Sequence, residues 1–286
     1  MSNYKIFHRS DRLGSNLTNY IAQIIQSHFR KRYILKTRSK YEHSIFFKIL
    51  NELVNEINKD FKKENGKYYK KKSWHLLNFQ TTSLVQSDLL SYFKSNFGKF
   101  VYLRLKHYQK IKKFTPTLDW DKVICLHLRL DDVSHISDYN GKPMSDFYSN
   151  CLNKSIKYTK KSIRLYATEN KLKKCHDYQA SISNKKINKI IKECKNKFPN
   201  HKLIVVASPT GGKIDIKADR IIRSSDPDLD LLYMIYSNVL ICSKSTYSLF
   251  AAYFHQGEHT YLPLWGHFAC TGIDSNLSKQ KYRVFY

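Results

Sequence analysis

Three short stretches combine residue types that could hold an anionic group. The first is Val123-Ile124-Cys125-Leu126-His127-Leu128-Arg129-Leu130-Asp131-Asp132, where an apolar run leads directly into a His, an Arg and two Asp. A guanidinium grips phosphate oxygens bidentately, and alternation along an extended strand puts His127, Arg129 and Asp131 on one side of it. The same residues would also serve as a buried Arg–Asp ion pair tying the strand to a neighbour. The second stretch is Val239-Leu240-Ile241-Cys242-Ser243-Lys244-Ser245-Thr246-Tyr247-Ser248, where a strand gives way to a helix near Ser245. Backbone N–H groups and hydroxyls at a helix N-terminus form an anion site without any cofactor, although the commoner duty of such a serine is to cap the helix. The third, Ser224-Ser225-Asp226-Pro227-Asp228-Leu229-Asp230, supplies carboxylates. These either accept hydrogen bonds from a base or ribose or simply favour the start of the next helix electrostatically.

Each stretch needs a scaffold, and the second half of the chain offers one by alternating strands with helices. Strands are expected at Val123 to Leu128, Ile163 to Ala167, Leu203 to Ala207, Arg220 to Arg223, Val239 to Cys242 and Thr260 to Leu262. Helices are expected at Asp146 to Tyr158, Lys186 to Phe198, Asp228 to Tyr236 and Ser245 to Tyr253. Such alternation predicts a mostly parallel sheet with helices on both faces, and ligands of open α/β sheets bind at the carboxyl ends of the strands. In the first half, Tyr4 to Phe7 reads as a strand, His8 to Asn16 as a polar turn containing Gly14, and Leu17 to Phe29 as a helix. Tyr33 to Leu35 reads as a second strand and Ser44 to Ile57 as an amphipathic helix. The Lys-rich exit to Lys72 reads as a loop, and Leu84 to Lys113 as helical. The break at Thr115-Pro116-Thr117-Leu118 divides the chain into domains at 1–117 and 118–286.

At 286 residues and 42% hydrophobic content the chain is long enough for two folded domains and too apolar for disorder. Its 50 Lys and Arg against 23 Asp and Glu give +27. That excess suits nucleic acid, an anionic membrane surface or a small phosphorylated substrate, and much of it also fits solvated helix faces. Interleaving such as Lys67-Tyr68-Tyr69-Lys70 keeps a basic nucleic-acid-binding protein as the alternative reading. The six cysteines show no CxxC pair and no spacing with His that suits a metal. Asp131-Asp132 is the one adjacent Asp pair, and its neighbours fit an anion better than a cation. A reduced protein without a metal is expected. Met1 to Arg12 is polar and charged, without the apolar core of a secretory signal, so the expectation is a cytoplasmic protein. The sequon Asn16-Leu17-Thr18 then goes unused.

The three stretches, taken with Arg12-Leu13-Gly14-Ser15-Asn16, fall in a familiar order. Arg12 to Asn16 resembles the amino-terminal glycine loop of the α-1,2-, α-1,6- and protein O-fucosyltransferase superfamily, and His127 to Asp132 resembles its His-x-Arg-Arg-x-Asp signature. Asp228 to Ala252, with Asp230-Leu231-Leu232-Tyr233-Met234 and Ser243 to Ala252, resembles its carboxyl-terminal motif. The resemblance implies an α/β fold of the GT-B type, two Rossmann-like domains facing each other across a cleft. It also implies GDP-fucose as donor, a glycan hydroxyl as acceptor, and inversion without a metal or other cofactor. Carried over by position, Arg129 holds the diphosphate, with His127 and Asp132 supporting the nucleotide or sugar end. Asn16 and Gly14 approach from the facing domain, and Ser243, Ser245, Thr246, Tyr247 and Ser248 bind phosphate, with Asp230 as the acidic position. Asp11, Asp132 and His8 are all open as acceptors of the proton from the acceptor hydroxyl. Leu130 stands at the second Arg position of the signature and Asp131 where the α-1,2 enzymes prefer Gly, which leaves a different sugar nucleotide open. The absence of the Golgi members' anchor and stem implies a bacterial or viral type of enzyme, with at most peripheral contact with anionic membrane.

Overall fold

A computed structural model describes residues 3–5, 13–29, 32–63, 68–69, 119–130, 182–209, 213–263 and 282–285. The chain divides into two compact units, Met1–Phe114 and Thr115–Tyr286. The helices expected at Leu84 to Lys113 and Asp146 to Tyr158, and the strand at Ile163 to Ala167, lie outside the described residues.

In the first unit, strand β1 (Asn3–Lys5) is flanked in parallel by β2 (Ile34–Leu35) and β3 (Tyr68–Tyr69). The last strand lies within the stretch expected to be a loop, where lysines mask a two-residue pairing. Helix α1 (Leu13–Phe29) begins four residues before the expected Leu17. The reason is Leu13, which extends the buried stripe of Leu17, Tyr20, Ile21 and Ile24 by one turn. Gly14 and Asn16 therefore lie in the first turn of a helix rather than in an open turn. Asn16 is fully buried, so the sequon is inaccessible. Helix α2 (Ile45–Asn58) buries Ile45, Phe46, Ile49, Leu50, Leu53 and Val54, and its Phe47 ring meets that of Tyr20 at 5.5 Å. Its last residue, Asn58, clamps the short β2 strand by accepting from Ile34 N at 2.7 Å and donating to Ile34 O at 2.9 Å.

Among the described residues the second unit holds six parallel strands. In chain order they are β4 (Val123–Leu128), β5 (Lys202–Ala207), β6 (Arg220–Ile222), β7 (Val239–Ile241), β8 (His259–Pro263) and β9 (Tyr282–Phe285). Their spatial order is β6-β5-β4-β7-β8-β9. Counted within the unit this is 3-2-1-4-5-6, the order of a doubly wound sheet whose direction of winding reverses between its first and fourth strands. The described helices are α3 (Asn184–Lys197), α4 (Pro227–Tyr236) and α5 (Thr246–Phe254). All six residues of β4 are buried, as a strand covered on both faces requires. Ile124, Leu126 and Leu128 share one apolar cluster with Ile187, Ile190 and Cys194 of α3, and Leu130 packs against it. The alternate residues of β4 face α4 and α5, where the Cys125 thiol feels Asp230 and the His127 ring meets Tyr247. The elements match the sequence reading within a residue or two; β9 is additional.

The amino end of this sheet is tied together by Asn238. Its amide bonds His201 Nε2 at 2.8 Å, its N–H donates to Trp120 O at 3.1 Å, and its Oδ1 accepts from Glu258 N at 3.2 Å. Buried His255 adds a second tie, with Nε2 2.6 Å from Ser237 O and Nδ1 2.8 Å from Thr260 Oγ1.

Candidate functional site

Where the winding of the described strands reverses, the carboxyl ends of β4 and β7 lie side by side, the position at which open α/β sheets form their ligand crevice. The register Ile124↔Val239, Cys125↔Leu240 and Leu126↔Ile241 sets His127 beside the exit of β7. His127 Nδ1 lies 2.6 Å from Ser243 Oγ, and Arg129 Nη1 donates to Lys244 O at 3.2 Å. Alternation thus carries His127 of β4 and Arg129 just past its end to one connection, Ser243 to Ser245. Asp131 and Asp132 lie outside the described residues.

Ser245 caps α5, its hydroxyl accepting from Tyr247 N at 3.2 Å. The first-turn amides of α5, Thr246 to Ser248, sit at the crevice end of the helix, where the positive end of the dipole lies. Ser248 is turned inward, its hydroxyl donating to Ser243 O at 3.0 Å and Ser245 O at 3.2 Å. Tyr247 is also engaged: its hydroxyl donates to Pro227 O at the start of α4, and its ring lies 5.5 Å from that of His127. Ser248 and Tyr247 therefore shape the connection through their side chains, and the Tyr247 amide is taken up by the Ser245 cap. Burial, followed by the charges of Asp230, Asp228 and Asp226, raises the Tyr247 phenol well above its ordinary pKa.

The electrostatics follow from this burial. His127 is pushed from 6.5 down to about 3, first by burial and then by the Arg129 guanidinium, so it is a neutral imidazole at physiological pH. Among the described residues its Nε2 has no hydrogen-bond partner. Asp226 caps α4 by accepting from Asp228 N at 3.0 Å and Leu229 N at 3.2 Å. Asp230, one turn on, is 7% exposed and keeps Oδ1 buried without a partner. Burial, then the charge on Asp226, raises it to about 7.

Sequence reasoning passed over Lys244, which is only 5% exposed. The signal was its isolation: one lysine inside the otherwise apolar and hydroxylic run from Leu231 to Phe254. Gly14 and Asn16 belong to the first unit, within α1. The cysteines Cys125 and Cys242 are buried free thiols, both raised by burial. Among the described residues no group of three His, Cys, Asp or Glu is placed to hold a metal ion, and no helix is long and apolar enough to cross a membrane. Comparison with protein-family models, with curated proteins and with solved structures finds no match to this chain.

Proposed function

We propose that the protein is a nucleotide-sugar glycosyltransferase of the GT-B type, moving fucose from GDP-fucose to a glycan hydroxyl with inversion. The observation that carries the reading is the meeting of Arg129, at the end of the first strand, with Ser243 to Ser245 and the start of α5, at the end of the fourth. A guanidinium beside a helix N-terminus at the reversal point of a parallel sheet is suited to a diphosphate.

In this reading Arg129 and the first-turn amides of α5 meet the charge that develops on the departing diphosphate, a preorganised electrostatic role. Their position is fixed in advance, because Arg129 is held on the Lys244 carbonyl. His127 acts as a neutral hydrogen-bonding group with Nδ1 tied to Ser243, and its low pKa keeps it from serving as a proton donor to the leaving group. Asp230 is the carboxyl group this reading assigns to N–H or O–H donors of a base or ribose, its Oδ1 being buried and unpartnered among the described residues. The proton of the acceptor hydroxyl falls to residues outside the described set, of which Asp11, Asp132 and His8 are the candidates.

The test is a thermal-unfolding screen with nucleoside diphosphates. At a hundredfold excess over its Kd, GDP should add about 2.7 kcal/mol of stability, a Tm rise of roughly 5 °C, and Arg129→Ala should abolish it. If no nucleoside diphosphate shifts the transition, the donor site is refuted. A shift by a different nucleotide redirects the donor and keeps the site, and hydrolysis of GDP-fucose by the wild type alone would establish the chemistry.

A further inference from the structure

Helix α3 carries six lysines and one glutamate in 14 residues. Ile187, Ile190 and Cys194 are buried against the sheet, and Lys185, Lys189 and Lys192 are exposed on the opposite side. Their i, i+4, i+7 spacing aligns three ammonium groups along about 10 Å of helix. Among the described residues none of the three is in an ion pair. Within the fold this arrangement is unfavourable twice over. Like charges four residues apart repel, and Lys185 and Lys186 stand in the first turn, with no acidic residue there, at the positive end of the helix dipole.

A second feature lies on the same side of the sheet. Edge strand β6 pairs Ile221 with Val205, whose side chain belongs to the cluster beneath α3, so Ile221 projects on the α3 face. It is 45% exposed, the one exposed large apolar side chain among the described residues. The Lys195–Asp219 ion pair at 3.6 Å joins α3 to the residue just before β6. Lys202, Lys217 and Arg220 are exposed nearby along the chain, with Asp215, Glu193 and the paired Asp219 as the exposed acids.

We propose that this face, the lysine stripe of α3 with Ile221 at the β6 edge, docks the protein on an anionic lipid bilayer. The lysines meet lipid phosphates and carboxylates, and Ile221 enters the boundary between headgroups and acyl chains. Charge complementarity alone would also suit nucleic acid. A nucleic-acid surface, however, relies on aromatic platforms for stacking, and neither α3 nor β6 carries a Phe, Tyr or Trp. The proposal is independent of the donor site, which lies at the strand ends rather than on this face.

The experiment is co-sedimentation of the full chain with vesicles of phosphatidylcholine alone and with about 30 mol% phosphatidylserine, at about 50 mM and about 500 mM NaCl. The wild type should bind the anionic vesicles at low salt and release at high salt. Replacing Lys185, Lys189 and Lys192 by Gln together should weaken binding on the order of 100-fold, roughly fivefold per lysine. Ile221→Ser should weaken it about threefold to tenfold. The control exchanges three exposed lysines of the first unit, Lys48, Lys62 and Lys63, for Gln and should leave binding nearly unchanged. All substituted side chains are exposed, and an unchanged thermal transition verifies folding. Equal losses in the two triple variants would mean diffuse attraction and overturn the proposal. So would absence of binding to anionic vesicles, or tighter binding to a single-stranded RNA that the α3 substitutions abolish.

Discussion

Asp230 offers the sharpest test of how the site is built, because its ionisation should oppose folding. The carboxyl is buried in the first turn of α4 with Oδ1 unpartnered, and burial followed by the charge of Asp226 lifts it from 3.8 to about 7. Between those pH values the native protein holds a proton that the unfolded chain has released. The slope of unfolding free energy with pH follows protons bound unfolded minus native, which is negative here, so this contribution is fully favourable below pH 3.8 and is lost as pH rises to about 7. The gap, at 1.36 kcal/mol per pH unit, corresponds to about 4 kcal/mol of stability lost above neutrality. Asp230→Asn keeps the shape and removes the titration. Urea unfolding of wild type and variant should therefore nearly coincide at about pH 4, with the variant more stable by up to about 4 kcal/mol at about pH 8. Groups common to both proteins cancel in the difference. A difference independent of pH, or a variant that becomes relatively less stable as pH rises, would mean that the carboxylate is stabilised in the fold, and the account of Asp230 as a buried, unpartnered carboxyl would fail.

His127 should show the opposite slope. Its folded pKa of about 3 lies below the ordinary 6.5, so the unfolded chain binds the extra proton and stability falls as pH drops through that window. The full effect is about 5 kcal/mol. His127→Gln should remove it, seen as unfolding curves that converge with the wild type in acid; parallel curves would refute a buried neutral imidazole. Leu130→Arg should destabilise by about 2 kcal/mol or more and leave the GDP-induced shift no larger, because position 130 packs against the cluster under α3. A stronger nucleotide shift in that variant would show that the residue reaches the crevice instead. Gly257→Ala would place a Cβ 2.2 Å from both Asn238 O and Ser237 O, backbone atoms that cannot swing aside. Its cost should be about 3 kcal/mol in chemical unfolding, and a neutral result would rule out that close approach.

The second unit was readable in the sequence because its strands are buried on both faces and so appear as apolar runs bounded by polar turns, β4 and β5 above all. Its strand order was not readable, since hydrophobic runs of similar composition carry no record of which neighbours which. That order is nevertheless what assembles the site: Ser243 is 116 residues from His127 and reaches it because β7 rather than β5 lies on that side of β4. The start of α1 was misjudged for a local reason, as Gly14 and the polar residues before it resemble a turn while Leu13 already belongs to the helical stripe. Leu130 shows how far alternation alone can go. Counting by twos from Ile124 through Leu126 and Leu128 reaches Leu130 on the α3 face, whereas counting from Cys125 through His127 reaches Arg129 on the face of α4 and α5. An arginine at 130 would therefore enter an apolar cluster, and the leucine there follows from the geometry of the strand. The guanidinium near the ends of β4 and β7 is instead that of Arg129, whose bond to the Lys244 carbonyl joins the exits of the two strands. If that contact sets the position of the guanidinium, Arg129→Lys will retain the charge, lose the planar fork and bind diphosphate more weakly than the wild type but more tightly than Arg129→Ala. Equal affinity of the lysine variant and the wild type would show that charge alone, and not the geometry of this junction, holds the ligand.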